Sequence, residues 1–111
     1  MSPKIIGVEA MGGGCNAVLE RIRRLEEMGI RAAWLTDGGV DMDAPALLAA
    51  AALQTDEILL GTAMVPTCPR HPITMVQQVQ VLADLAPGRF RLGIGPSHRA
   101  EMEDTFGFDF H

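Results

Sequence analysis

The sequence contains no tyrosine, and its few phenylalanines and one tryptophan bring the aromatic content to only 5%. So sparse a set provides no platform on which successive bases of a single strand could stack. An excess of positive charge is missing too. Nine lysines and arginines face 14 aspartates and glutamates, and the formal net charge of −5 gives no general attraction to nucleic acid or to an anionic membrane. Cysteine is scarce: Cys15 and Cys68 stand in unrelated contexts, as reduced thiols of a cytoplasmic protein do, and not as a disulfide framework. Three scattered histidines add no metal-ligand spacing, and no Ser-His-Asp or Cys-His arrangement follows from position. Long apolar runs are absent. The richest, APALLAAAAL, falls well short of the ~20 residues of a membrane span. The opening MSPKIIGVEAMGGG lacks the basic start and apolar core of a secretory signal.

What is present is an alternation. Hydrophobic residues make up 48% of the 111 residues and the mean hydropathy is +0.17, enough for one small globular domain. KIIGV (4–8), AAWLT (32–36), ILLGTAM (58–64) and RFRLGI (89–94) read as short strands. Their continuous apolar character suits parallel strands covered on both faces. Between them lie three helical segments. In NAVLERIRRLEEMG, Val18, Leu19, Ile22, Leu25 and Met28 form one stripe, with Asn16 as the expected N-cap and Gly29 as the stop. Asp43 is placed to cap the second helix, with Pro45 in its first turn. The third opens at Pro72, carries Ile73, Val76, Val79 and Ala83 on one row and Met75, Leu82 and Leu85 on another, and ends at Pro87-Gly88.

Strands recurring at this spacing with helices between them are βαβ units, which connect parallel strands by right-handed crossovers. Two architectures fit: an open doubly wound sheet, or the opening half of a (β/α)8 barrel. The first predicts a dinucleotide fingerprint after the first strand, but Gly12-Gly13-Gly14 and the later GIGPSH are both incomplete as G-x-G-x-x-G. The barrel accounts for more, because functional groups of barrels gather just past the C-terminal ends of strands. Glu9, Asp37-Gly38-Gly39, Ala63 to Thr67, and Gly95-Pro96-Ser97-His98 all stand there. The expected fold is therefore α/β, with parallel strands and crossover helices, forming residues 1–111 into one partial barrel of four strands and three helices. Complete barrels take about 250 residues, so the later strands are missing from this expectation.

The segment GTAMVPTCPRHPITMVQQVQVLADLAPGRFRLGIGPSHR (61–99), together with WLTD (34–37) and the tail EMEDTFGFDF, resembles the luciferase-like monooxygenase superfamily, and within it the coenzyme F420-dependent oxidoreductases. The resemblance implies a barrel that binds FMN or the deazaflavin F420 at its C-terminal face and there transfers hydride or activates oxygen. It implies that Asp37 contacts the cofactor head or orders the pocket wall. Ala63 and Met64 would back the ring, in a bulge that often carries a non-proline cis peptide in such proteins. Gly95, Pro96, Ser97 and His98 would lie beside the ring and its ribityl chain. Where some relatives place a histidine after the acidic residue of the second strand, this chain has Gly38, so that acid–base role does not transfer.

For several residues the sequence leaves two readings open. His98 is a candidate proton donor or substrate contact, and equally a loop residue bonding to neighbouring backbone. His71 reads as helix-start punctuation, with Arg70 bringing the RHP stretch near the pocket. Cys68 reads as inert. Gly12–Gly14 form either a turn or room for a ligand. The whole chain is accordingly an oxidoreductase using F420 or FMN, or else a shortened, non-catalytic binding or oligomerisation module. Open strand edges predict a homodimer or higher homo-oligomer in either case, with small-molecule partners, no nucleic acid and no membrane.

Overall fold

The alternation of apolar and amphipathic segments folds as a layer of parallel strands under helices. The computed structural model describes residues 7–37, 42–66 and 70–95. In chain order these form β1 (Gly7–Glu9), α1 (Cys15–Glu27), β2 (Ala32–Leu35), α2 (Ala44–Gln54), β3 (Leu59–Thr62), β4 (Val65–Pro66), α3 (Pro72–Leu85), β5 (Phe90–Arg91) and β6 (Ile94–Gly95). The main sheet runs β1-β2-β3-β5, each pair parallel, and β4 and β6 make a second short parallel ladder. Spatial order follows chain order, so the sheet lacks the switch point at which a doubly wound fold reverses. This is the strand sequence of a barrel. Residues 4–6 of the expected first strand lie outside the described residues.

One face of the sheet is covered. Ala33, Leu35 and Leu60 pack with Val18 and Ile22 of α1 and Leu48 of α2 in a continuous buried cluster. The alanines of α2, including the buried Ala51 and Ala52, let that helix sit close to its neighbours. The opposite face carries Trp34. Its indole spreads over β1 and β3, where a Cβ on either Gly7 or Gly61 would collide with the ring. Glycine within a strand is otherwise a weakening choice; here two of them make room for one tryptophan.

The helix ends follow the sequence in part. Asp43 caps α2, its Oδ2 accepting from the Ala46 N–H at 2.9 Å. His71 caps α3 by accepting from the Ile73 N–H at 3.1 Å, and Pro72 is the first helical residue. Gly29, at φ 81°, turns the chain out of α1. Asn16, however, is not the cap of α1. Gly14 holds that position without a side-chain bond, because Gly12 and Gly13 at φ 126° and 81° complete the turn early and the helix begins at Cys15. Met28 likewise leaves the expected stripe: it is the C-cap residue and 72% exposed. In α3 the row that packs is the one containing Leu82, with Met75 and Leu85 half-buried, whereas Ile73 and Val76 are 65% and 55% exposed. The helix lies against α2 through one flank only, and periodicity could not tell which of two adjacent apolar rows that flank would be.

At the N-terminal end of the sheet, one carboxylate organises the approach to β3. Glu26 Oε2 accepts from the backbone N–H groups of Asp56, Glu57 and Ile58 at 2.9, 2.8 and 3.0 Å. Its burial raises the carboxyl pKa, but the three N–H bonds, aided by the charge of Arg89, outweigh burial and hold it below the usual range. Hydrogen bonds to the ionised form account for this direction. Since the folded pKa is lowered, the contribution to stability is complete above the ordinary glutamate range and is lost as pH falls through the folded value. We expect E26Q to lose about 1–2 kcal/mol near neutral pH. In urea melts repeated at decreasing pH, the gap between wild type and E26Q should close once Glu26 protonates.

Candidate functional site

The C-terminal ends of the strands are shaped by one irregularity. Gly61 pairs with Arg91, and the ladder resumes where Val65 pairs with Ile94. Three residues, Thr62, Ala63 and Met64, lie between these pairs on one side, and two, Leu92 and Gly93, on the other. The extra residue makes a β-bulge, which bends a strand and re-aims its side chains. The sequence suggested one unbroken strand over 58–64; β3 ends at Thr62, Ala63 and Met64 fall in the bulge, and β4 begins beyond them at Val65. The Ala63–Met64 peptide bond is cis, as the family resemblance implied.

Thr62 makes the bulge possible. Its hydroxyl donates to the Gly93 carbonyl and accepts from the Gly93 N–H, both at 2.8 Å, so a side chain supplies what the interrupted ladder omits. The Gly93 carbonyl also accepts from the Val65 N–H at 2.9 Å. A Cβ on Gly93 would strike the backbone carbonyl oxygen of Thr62, and one on Gly95 would strike the side chain of Met64. The two glycines therefore let β5 and β6 approach the bulge, and the half-buried Met64 fills the space above Gly95. The Ala63 N–H donates to the Leu35 carbonyl at 2.8 Å, joining the bulge to the end of β2. Beside it, the exposed Glu9 accepts from the Met11 N–H at 2.7 Å and from the Thr36 hydroxyl at 3.5 Å. Glu9, Thr36 and Ala63 thus form an exposed rim of polar and small residues along the strand ends.

Asp37 is set apart from this rim. Its side chain is 1% exposed and its Oδ2 accepts from Arg70 Nη2 at 2.7 Å and from the Ala44 N–H at 3.1 Å. The carboxylate is directed to the start of α2. Of the two roles implied by resemblance, this geometry suits ordering of the wall; Oδ2 is committed within the protein. The structure thus brings Ala63, Met64 and Gly95 together and puts Asp37 behind them. Pro96, Ser97 and His98, like Gly38, Gly39, Thr67, Cys68 and the tail, lie outside the described residues. Sequence reasoning passed over Thr62, a lone hydroxyl in an apolar strand between Gly61 and Ala63. It placed Arg70 near the pocket without assigning its partners.

Among the described residues, no group of three His, Cys, Asp or Glu could hold a metal ion, and no helix is long and apolar enough to cross a membrane. A cavity of about 420 Å³ lined by residues including Glu26, Arg31, Glu57 and Leu59 lies at the N-terminal end of β2 and β3, opposite the rim.

Comparison with known proteins agrees with this geometry. Residues 5–111 match the luciferase-like monooxygenase family. The chain belongs to that family. It is 32% identical over 96 residues to limonene 1,2-monooxygenase of Rhodococcus erythropolis, covering 82% of this chain and 25% of that protein. It is 43% identical over 63 residues to an F420-dependent glucose-6-phosphate dehydrogenase of Beutenbergia cavernae, covering 56% of this chain and 19% of the relative. The coenzyme F420-dependent tetrahydromethanopterin reductase of Methanopyrus kandleri superposes with a TM-score of 0.80 at 26% identity, over 95% of this chain and 30% of that one. The chain therefore spans about a fifth to a quarter of the curated relatives and matches the N-terminal part of a luciferase-like barrel.

Four substitutions at three positions test the bulge. T62V keeps the shape and removes the hydroxyl, taking the partner of the Gly93 N–H and leaving the Gly93 carbonyl with the Val65 N–H alone, and should lose about 2–3 kcal/mol in chemical denaturation. T62S should recover most of that loss. G93A must displace backbone, whereas G95A meets only the far end of Met64, so G93A should be the more destabilising of the two by about 1–2 kcal/mol.

Proposed function

We propose that this chain supplies the cofactor-binding wall of a luciferase-like oxidoreductase that uses coenzyme F420 or FMN for hydride transfer or oxygen activation. The observation that carries the proposal is the bulge at the strand ends. It exposes Ala63, seats Met64 over Gly95 and draws both adjoining strand ends together, at the barrel face where reactions take place. The F420 dependence of two similar proteins supports the deazaflavin; the wider family resemblance keeps FMN beside it. When bound, such a cofactor supplies the redox chemistry, and the protein's part is binding, orientation and exclusion of competing reactions.

The residues present fit that part. Ala63 and Met64 offer a small, apolar backing for a flat ring. Gly93 and Gly95 keep Cβ atoms out of the approach. Ser97 and His98 follow directly in sequence and bring hydrogen-bonding groups, with His98 the candidate proton donor. Asp37 orders the wall from behind through Arg70 and the first turn of α2. In this reading residues 1–111 form one partial barrel domain of a cytoplasmic protein with small-molecule partners. Among the described residues β1 and β5 each have a neighbour on one side only, and such edges favour a homodimer or higher homo-oligomer.

A second reading, a non-catalytic binding or oligomerisation module, is favoured by the exposed Gly7, Glu9 and Arg91 on the sheet face opposite the helices. Titration with F420 and with FMN, following fluorescence and light scattering together, separates the two. The proposal expects saturable binding by an oligomer of defined mass. A folded oligomer that binds neither cofactor would replace the oxidoreductase with the module. A folded monomer across micromolar concentrations would overturn the predicted assembly.

A further inference from the structure

We infer that Arg70 is the positioning residue of the strand-end wall: a single guanidinium clasps the end of β2 to the N-cap of α2 and to Gln78 in the second turn of α3. The inference rests on the proposed cofactor site only for its functional consequence. Arg70 immediately precedes the α3 cap residue His71. Its Nη2 lies 2.7 Å from Asp37 Oδ2 and 2.8 Å from Asp43 Oδ1, and its Nη1 reaches Gln78 Oε1 at 3.4 Å. The Arg70 side chain is 14% exposed. Each acidic partner has a second attachment. Asp37 accepts from the Ala44 N–H at 3.1 Å, and Asp43 uses its other oxygen, Oδ2, for the cap bond to Ala46.

The arginine's own hydrogen bonding shows which contacts orient it. Among the described residues Nε is buried without a partner, so the group is aligned by the two carboxylates and not by satisfying every donor. A flat fork can meet both acids and Gln78 together; a lysine ammonium, with its different reach and donor geometry, cannot reproduce that set. Removing Arg70 takes away the guanidinium that stands 2.7 Å from the buried Asp37 carboxylate, a loss that is costly for a buried ion pair. Asp37 stands just beyond Leu35, whose carbonyl accepts from the Ala63 N–H, so displacement of Asp37 passes to the bulge. Arg70 thereby governs cofactor affinity without touching the cofactor.

R70M, R70K and D43N test this at a temperature where circular dichroism shows every variant folded. One readout is amide hydrogen exchange at Ala44, whose N–H reports the Asp37 carboxylate; Leu59, whose N–H donates to the Arg31 carbonyl at the opposite end of the sheet, is the internal control. The other is the dissociation constant for F420 and for FMN. R70M should speed Ala44 exchange and weaken cofactor binding, each by about tenfold, while Leu59 stays protected. R70K should fall between R70M and wild type. D43N, whose side-chain oxygen can still cap α2, should give a smaller change in both readouts. A purely structural arginine would lower melting temperatures and leave the affinity of the folded protein unmoved, and that result overturns the inference. If R70M does not fold, R70K and D43N carry the same comparison. If wild type binds neither cofactor, the functional proposal falls, and unchanged Ala44 exchange in the folded variants separately overturns the clasp.

Discussion

The exchange of hydrogen bonds between the Thr62 hydroxyl and both backbone groups of Gly93 is the interaction on which the strand-end architecture depends. An uninterrupted pair of parallel strands would alternate its side chains evenly and present no step at its end. One residue too many on the β3–β4 side breaks the ladder. A broken ladder inside a protein leaves backbone donors and acceptors whose desolvation is costly. The threonine satisfies them from the side, and the lack of a Cβ at Gly93 lets the two strands close to that distance. The exposure of Ala63, the seat of Met64 over Gly95 and the second ladder of β4 and β6 all follow from that local solution.

The two ends of the sheet solve different problems with the same chemistry. At the N-terminal end, Glu26 gathers three backbone N–H groups. Arg89 donates to the Ile58 carbonyl at 3.1 Å and to the Thr55 hydroxyl at 3.0 Å, fastening the segment that follows α2. These contacts tie chain to chain and leave no reactive rim. At the C-terminal end, the charged groups Arg70, Asp37 and Asp43 are drawn back among the helix starts, and among the described residues the rim is left to Glu9 and to small, uncharged residues. Barrels divide stability and function between their ends in this way. Membership of the luciferase-like monooxygenase family gives that division its chemical meaning.

Much of this was legible in the residues, and the failures share a cause. Strand positions, parallel pairing and the caps at Asp43 and His71 follow from local features: apolar runs, helix periodicity, and side chains that bond their own backbone a few positions on. Asn16 failed as a cap because the glycine turn before it closed earlier than the residue type implied. The outward rows of α3 failed because two adjacent apolar stripes are equivalent until α2 is in place. The bulge was hidden because its signal is a register difference between strands about 30 residues apart, which no local pattern records. Asp37 was visible as a strand-end acid. Its partner Arg70 lies 33 positions away, so whether the acid faces a ligand or an arginine is decided only by the fold.

In the proposed function a flavin-type cofactor meets this chain at the bulge. The most direct measurement is the change in backbone amide chemical shifts across the labelled protein as F420, and separately FMN, is added. The largest changes are expected on Ala63, Met64, Gly93 and Gly95, with Glu26, Arg31 and Glu57 undisturbed. Changes centred on Glu26, Arg31 and Glu57 would place the ligand in the cavity at the opposite end of the sheet and contradict it.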